Sequence, residues 1–458
     1  MSYLQSLPPR RMFFVLRAVV LTCLAAQVTV AWAGSIGRNS SVGGVSIDVE
    51  GVLGPPSLEG RKKVLAALRR EIKAAPSELS SPVELRMVSL KGIESACEDA
   101  LKNHLGRLPE EVQFLAGLQR IQYIFVYPED GDIVLAGPGE GWKIDEFANV
   151  VGITTNRPVL RLDDLLVALR YVHEARTEGI SCSIDPTEEG SRALKQVLQQ
   201  QQRQRQPAPV LEQAMKRAFG PQQVTVSGIP ATSHFARVLV AADYRMKRLA
   251  MKLEKSPVAG LPSYLDLIKN SRVAGNVNPR WWLACNYEPL ATSEDGLAWE
   301  LRGPGVQAMT EDEYVAEDGK ITGTGRRGSA AQRWADLMTK EYRALSIEDG
   351  VFGELRNLMD MCVAAAVIEK EQLLQKAELL LPTLTARDGP LALETWNAPK
   401  RVPPEVSFLR TRKALIVTAS GGVQVESWQV ASKVDVKPEV GQIRQRAAQG
   451  AGKRLWWH

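Results

Sequence analysis

The sequence is poor in the residues that most often build metal and redox sites. Its 458 residues include only four histidines and five cysteines. His104, His173, His234 and His458 are scattered, and His173-Glu174 lacks the second histidine that a zincin helix needs four residues on. Cys97, Cys182, Cys285 and Cys362 are equally far apart, which excludes CxxC zinc or dithiol chemistry. No metal and no cofactor is expected. No G-x-S-x-G nucleophile elbow is present. "ITGTGRRGSAAQRW" offers Gly323, Gly325, Arg326, Arg327 and Gly328 before a helix but lacks the Lys-Ser/Thr of a P-loop, so it reads as an exposed surface loop. No internal repeat is visible. Beyond the N-terminus no apolar run is long enough to cross a membrane, so no transmembrane span is expected in the mature chain.

What the N-terminus does contain is a leader pattern. Arg10, Arg11 and Arg17 form a basic start, an apolar stretch runs from about Ala18 to Val30, and Ala31-Trp32-Ala33 precedes Gly34. These are the three parts of a secretory signal peptide over residues 1–33. The expected location is therefore outside the cytoplasm, in the periplasm or the medium. Cleavage removes three arginines and no acid, which takes three units from the formal charge of +5. A nearly neutral mature chain is a poor match for nucleic acid as a partner. In an oxidising compartment the four remaining cysteines allow three disulfide connectivities. Cys362 lies on the apolar stripe of "LMDMCVAAAVIEK" and is expected to be buried and unpaired.

The hydrophobic share of 45% and charged share of 24% are ordinary for a globular protein. "VGGVSIDVEGVL" alternates apolar and polar residues and reads as a strand. "RWWLACNYE" and "GLAWELRG" read as paired strands, and "KALIVTASGGVQVESWQVAS" as a hairpin turning at Ser420-Gly421-Gly422. "VLRLDDLLVALRYVHEAR", "HFARVLVAADYRMKRLAMKLE" (capped by Thr232 or Ser233) and "FGELRNLMDMCVAAAVIEKEQLLQKAELL" read as helices with apolar faces. Strands and helices mix without strict βαβ alternation. The expected class is α+β, with several small mixed or antiparallel sheets, packed amphipathic helices and two domains. The boundaries are an N-terminal domain over 44–198, a Gln/Arg/Pro linker over 199–209, a C-terminal domain over 210–432 and a disordered tail over 438–458.

"QYIFVYPEDGDIVLAGPGEGW", Gln122 to Trp142, combines two apolar runs, an acidic turn and a glycine-rich loop. Pro128 to Gly131 suits a hairpin turn between strands at Tyr123 to Tyr127 and Asp132 to Ala136. Glu129, Asp130 and Asp132 fall short of a calcium loop and read as solvated turn acids. Gly137, Gly139, Glu140, Gly141 and Trp142 form the candidate binding loop. Glycines admit close approach by a ligand, and an exposed Trp142 supplies an apolar anchor with a polar N–H. A tight loop with Trp142 in the core is the alternative.

Ser227-Gly228 with His234 a few residues on is the nearest approach to a triad, and a helix cap explains it better. The tail "GKRLWWH" mixes basic and aromatic residues and reads as a frayed end. With no catalytic constellation in view, the sequence favours an exported, non-catalytic binding or assembly protein of the cell envelope, with a protein or an envelope polymer as partner. The alternative is an exported hydrolase using a carboxylate pair drawn from acids such as Asp145, Glu146, Asp185 and Asp243.

"FVYPEDGDIVLAGPGEGW", "SCSIDPT", "HFARVLVAADYRMKRLAMKLE", "GLPSYLDLI", "GLAWELRGPGV" and "FGELRNLMD" together resemble a family of secreted planctomycete-type bacterial proteins known as a domain of unknown function, DUF1598. The resemblance runs from about Val45 to Ser432. It implies export and a shared fold, and it implies no activity and no site residue.

Overall fold

The computed structural model describes residues 44–55, 62, 65–66, 68–70, 72–203, 207–269, 278–315, 321–409, 415–417 and 420–458. The leader 1–33 and linker residues 204–206 lie outside the described residues.

The hairpin is present. Tyr123–Tyr127 pairs antiparallel with Asp132–Gly139, and Gly131 takes φ +59° after the turn at Pro128–Asp130. A left-handed residue here is cheapest as glycine. The second strand runs three residues past Ala136, into the glycine stretch. This hairpin is the centre of a seven-stranded sheet. Its order is Val434–Val436, Leu290–Thr292, Ala298–Glu300, Tyr123–Tyr127, Asp132–Gly139, Val83–Ser89 and Trp456–Trp457. A second seven-stranded sheet runs Ile321–Gly323, Gly305–Val315, Asn278–Asn286, Ser420–Val425, Ile180–Asp185, Gln222–Ser227 and Arg401–Val402. Three two-stranded ribbons complete the α+β architecture.

Both sheets draw strands from either side of the expected boundary at 199–209. Ile180–Asp185 pairs with Gln222–Ser227 and with Ser420–Val425, and Tyr123–Tyr127 pairs with Ala298–Glu300. The division into 44–198 and 210–432 is thereby corrected, and the described residues fall in one compact unit, 39–458. Gln199 to Gln202 continue the helix Glu188–Arg203. The strands of "RWWLACNYE" and "GLAWELRG" lie in different sheets and do not pair. Ser420-Gly421-Gly422 begins an inner strand instead of turning a hairpin. A Cβ on Gly421 would fall 1.6 Å from the Trp281 carbonyl oxygen and one on Gly422 1.8 Å from that of Cys182. These glycines allow tight strand packing.

The tail is ordered, contrary to expectation. Successive residues of Tyr123–Tyr127 point to opposite faces. Ile124 and Val126 join the main core, while Phe125 and Tyr127 join a second cluster with Val134, Val440 and Trp457. A strand apolar on both faces needs a cover on each. The helix Pro438–Ala447 supplies one, and Trp456 and Trp457 then pair with Val88 and Met87 at the sheet edge. Asp132 fastens this arrangement. It is fully buried, accepts from Ser89 Oγ at 2.7 Å and from the Gly452 amide at 3.1 Å, and is not a solvated turn acid.

Three helices position the groups discussed below: α1, Leu162–Arg170; α2, His234–Ala250; and α3, Gly350–Lys370. Ser233 caps α2, its Oγ accepting from the Ala236 amide at 3.1 Å. The stretch expected to continue α1 breaks at Tyr171, and the one continuing α3 breaks at Gln372, which is left-handed. α2 packs against the second sheet through a buried ammonium. Lys247 Nζ donates to Ile184 O at 2.8 Å, Asp243 Oδ2 at 2.9 Å and Gly421 O at 3.2 Å. Three protons meet three acceptors, so the lysine ties two neighbouring strands to the helix. All four cysteines named above are free, and Cys362 is buried on α3 as expected.

Candidate functional site

The binding-loop residues are packed. Trp142 is 2% exposed, its Nε1 donates to Lys73 O at 3.1 Å, and its ring meets Phe114 at 5.4 Å. Glu140 is fully buried and accepts from Gln119 Nε2 at 2.9 Å, the Thr154 hydroxyl at 2.7 Å, the Thr155 amide at 2.9 Å and the Thr155 hydroxyl. Burial works to raise this carboxyl, and the threonine hydrogen bonds outweigh it and hold it below its ordinary value. A Cβ on Gly137 would lie 2.2 Å from Arg120 O, one on Gly139 2.8 Å from Arg86 Cβ and one on Gly141 2.9 Å from Ser80 Cα. The glycines give room to neighbouring protein atoms, and Trp142 lies in the core, as the tight-loop alternative has it.

The other expected groupings are dispersed. Gly325 N donates to Glu311 Oε1 at 2.6 Å, so the glycine-arginine loop has its own carboxylate. Asp145 accepts from the amides of Phe147 and Asn149 and caps its own turn. Asp185 and Asp243 do approach one another, and Asp185 works to raise Asp243. Burial pushes Asp243 up to about 6, but the pair is closed over by Lys247. Among the described residues no group of three or more His, Cys, Asp or Glu has the arrangement to hold a metal ion.

A different cluster forms where α1, α2 and α3 meet the irregular segment 386–400. Arg161 immediately precedes α1, and Asp163 and Asp164 occupy its first turn, where negative charge meets the positive end of the helix. His234 opens α2. Its Nδ1 lies 3.0 and 3.1 Å from the two oxygens of Asp164. Burial holds the imidazole below its ordinary value against the pull of Asp164, so near neutral pH it is uncharged, with Nδ1–H donating to the carboxylate. Trp396 hydrogen-bonds its backbone N–H to Thr232 O at 2.8 Å. This sets its ring 5.5 Å from that of His234, with the Arg237 guanidinium 4.8 Å from its centroid. Trp396 is 7% exposed, and its Nε1 has no hydrogen-bond acceptor. Arg161 Nη2 reaches Glu394 at 3.4 Å, and Glu354 projects from α3 among the same charges.

Arg161 and Glu394 keep 25% and 38% of their side-chain surface open, and Asp163 and Glu354 are half-buried. Burial is nonetheless the largest influence on Arg161, Asp163 and Glu354. Water can touch these groups but solvates them poorly. Burial pushes Asp163 up to about 6, helped by Glu394 and Asp164 and opposed by Arg161. It pushes Glu354 up to about 8, helped by Asp164, Asp145 and Asp349 and again opposed by Arg161. Glu354 Oε2 has no hydrogen-bond partner. Near neutral pH the cluster therefore holds a protonated carboxyl, a carboxyl close to titration, two guanidiniums and a neutral imidazole. Such groupings of perturbed acids are characteristic of functional sites.

The sequence reading singled out His234 but matched it with Ser227 rather than with Asp164. The adjacent acids at the head of an otherwise apolar helix, directly after an arginine, were the available signal. Nothing local marks Glu354, Glu394 or Trp396, which arrive from far along the chain.

No curated protein and no solved structure matches the chain. Residues 182–264, which include Asp185, His234, Asp243 and Lys247, match the model of the family described as "Protein of unknown function (DUF1598)".

Proposed function

We propose that the protein is an exported binding protein of the cell envelope, with no catalytic step, and that the recess between α1, α2, α3 and the 386–400 segment is where it holds a small polar molecule or the polar end of an envelope polymer. Export is supported by Arg10, Arg11, Arg17 and the Ala31-Trp32-Ala33 sequence. The observation that carries the binding reading is that two buried hydrogen-bonding groups of this cluster, the Trp396 N–H and Glu354 Oε2, are unmet. Buried polar groups are ordinarily satisfied, and a polar ligand can supply the partners that such an unmet donor or acceptor lacks.

The test is a thermal-shift screen of polar small molecules against the wild type and Arg161→Ala. A compound that raises the melting temperature of the wild type and not of the variant supports binding at the recess. Failure of every compound to discriminate the two proteins overturns it.

One observation favours the second reading, an exported hydrolase with a carboxylate pair. Asp163 and Glu354 titrate on either side of neutrality, the division that general base and general acid require. Turnover of chromogenic esters, phosphoesters or glycosides, lost in Glu354→Gln, would establish it in place of binding.

A further inference from the structure

Two of the stretches quoted above, "GLAWELRGPGV" and "FGELRNLMD", meet at a second cluster of charge. Asp360 of α3 is fully buried and has both oxygens occupied. Oδ1 accepts from the Tyr287 hydroxyl at 2.6 Å and Oδ2 from Arg120 Nε at 3.0 Å. Arg120 Nη2 also donates to Gly303 O at 2.9 Å, which ties the Gly303-Pro304-Gly305 segment to the pair. Arg356 stands one helical turn before Asp360 on the same face of α3. Gly305, at φ +91°, lies against its stem. A Cβ there would be 2.8 Å from Arg356 Cγ and 3.6 Å from the Tyr287 hydroxyl oxygen, so the arginine and the tyrosine border one point. The rim is open to solvent: Pro304 is exposed, Arg120 keeps 20% of its side-chain surface open, and Tyr287 and Arg356 are half-buried.

The charges in contact here do not balance. Two guanidiniums share one carboxylate, and both oxygens of that carboxylate are committed to Arg120 and Tyr287. Arg356 makes one hydrogen bond among the described residues, from Nη2 to Gln119 O at 3.5 Å, which is too long to hold it firmly. Its buried Nε has no acceptor. A buried carboxyl can shed its charge by taking a proton, but a guanidinium stays charged and is stable in such a place only beside an anion. We propose that Arg356, with Arg120 beside it at the Gly303-Pro304-Gly305 segment, binds the carboxylate of a ligand, which accepts from Arg356 Nε. A carboxylate matches a guanidinium edge with two parallel hydrogen bonds, and its single charge is the one that Asp360 leaves uncovered. A free carboxylic acid and a carboxylate carried on an envelope polymer share this chemistry. The site is separate from the recess, because Glu354 and Arg356, two residues apart, project from α3 about 200° from one another. It goes beyond the reading given for the recess and does not depend on it.

Thermal melting of the full chain in Tris chloride at constant ionic strength tests the assignment. Chloride serves as the reference anion, since a sphere cannot make two parallel hydrogen bonds, and the Tris cation is repelled by the uncovered guanidinium. Acetate is expected to raise the melting temperature saturably, and acetamide, its neutral counterpart, to leave it unchanged. Arg356→Met should abolish the saturable response. Arg356→Lys keeps the charge but loses the paired N–H edge, and it should weaken acetate at least about tenfold, the loss of one charge-assisted hydrogen bond. The lysine variant decides alone should the methionine variant fail to fold. Arg161→Ala should respond to acetate as the wild type does, so failure at this site and failure at the recess are read separately. A response to acetate assigns the carboxylate of a free acid, and a response to polygalacturonate alone assigns that of a polymer. No saturable response to either, an equal response to acetamide, tighter binding of phosphate than of acetate, or a response unchanged in the Arg356 variants overturns the assignment.

Discussion

Asp164 and His234, 70 residues apart in the chain, meet through both carboxylate oxygens at 3.1 and 3.0 Å from Nδ1. The contact joins the first turn of α1 to the first residue of α2 and fixes which ring nitrogen bears the proton. Asp164→Ala leaves a buried N–H without an acceptor and should cost about 1–3 kcal/mol in urea unfolding, whereas Asp164→Asn keeps an oxygen there and should cost clearly less. Equal losses would mean that the hydrogen bond is not what holds the two helices.

The raised carboxyl of Glu354 has a stability signature. In the folded chain it titrates near about 8, against an ordinary value of 4.5. Between those values the folded state holds a proton that the unfolded state has lost, so its contribution favours folding at low pH and fades as pH rises toward 8. Glu354→Gln should therefore be stabilising by about 1 kcal/mol or more at pH 8 and near neutral at pH 4.5. Chemical denaturation at the two pH values checks it, and a variant effect independent of pH would refute the assignment.

Removing the Lys247 ammonium strands the Asp243 carboxylate and two strand carbonyls. Lys247→Met should cost about 3–5 kcal/mol, and adding Asp243→Asn should recover part of that loss. Additive losses in the double variant would contradict the pairing.

Gly137→Ala places a Cβ 2.2 Å from the Arg120 carbonyl oxygen, which is backbone and cannot step aside. The expected cost is above about 2 kcal/mol. A tolerated substitution, measured by thermal melting, would show that the close approach is not required.

Trp457 is the apolar plug of the cluster beneath the tail, with its Nε1 donating to Ala447 O at 2.8 Å. Trp457→Ala should cost about 3–5 kcal/mol, as for other buried aromatics. A change within about 0.5 kcal/mol would restore the picture of a frayed end.

Local patterns in the sequence led to the hairpin at Tyr123–Tyr127, the Ser233 cap and the buried stripe carrying Cys362, because each is settled within a few residues. Partner choice across the chain was not legible. "GLAWELRG" shows the same alternation whether it pairs with "RWWLACNYE" or, as it does, with Leu290–Thr292 and the far earlier Tyr123–Tyr127, and only the packed sheet selects these. The glycines of 137–141 looked like a ligand surface because close approach by a ligand and close approach by the chain itself demand the same missing Cβ. The recess escaped notice for a related reason. Its groups come from four separate segments, and no spacing rule connects Asp163 to Glu354 or His234 to Trp396. The basic and aromatic residues of "GKRLWWH" suggested a loose end, although the unbroken apolar character of Tyr123–Tyr127 already required a lid for its second face.

Because Trp456 and Trp457 fill the edge beside Val83–Ser89, the first sheet receives this strand only after about 370 further residues have been made. Until then Val83–Ser89 has an open side, and the face bearing Phe125 and Tyr127 has no cover. The second sheet waits in the same way for Ser420–Val425, which sits between Asn278–Asn286 and Ile180–Asp185. A nascent chain so organised can complete neither sheet until residues hundreds of positions downstream are made, and its open edges are exposed to aggregation until then.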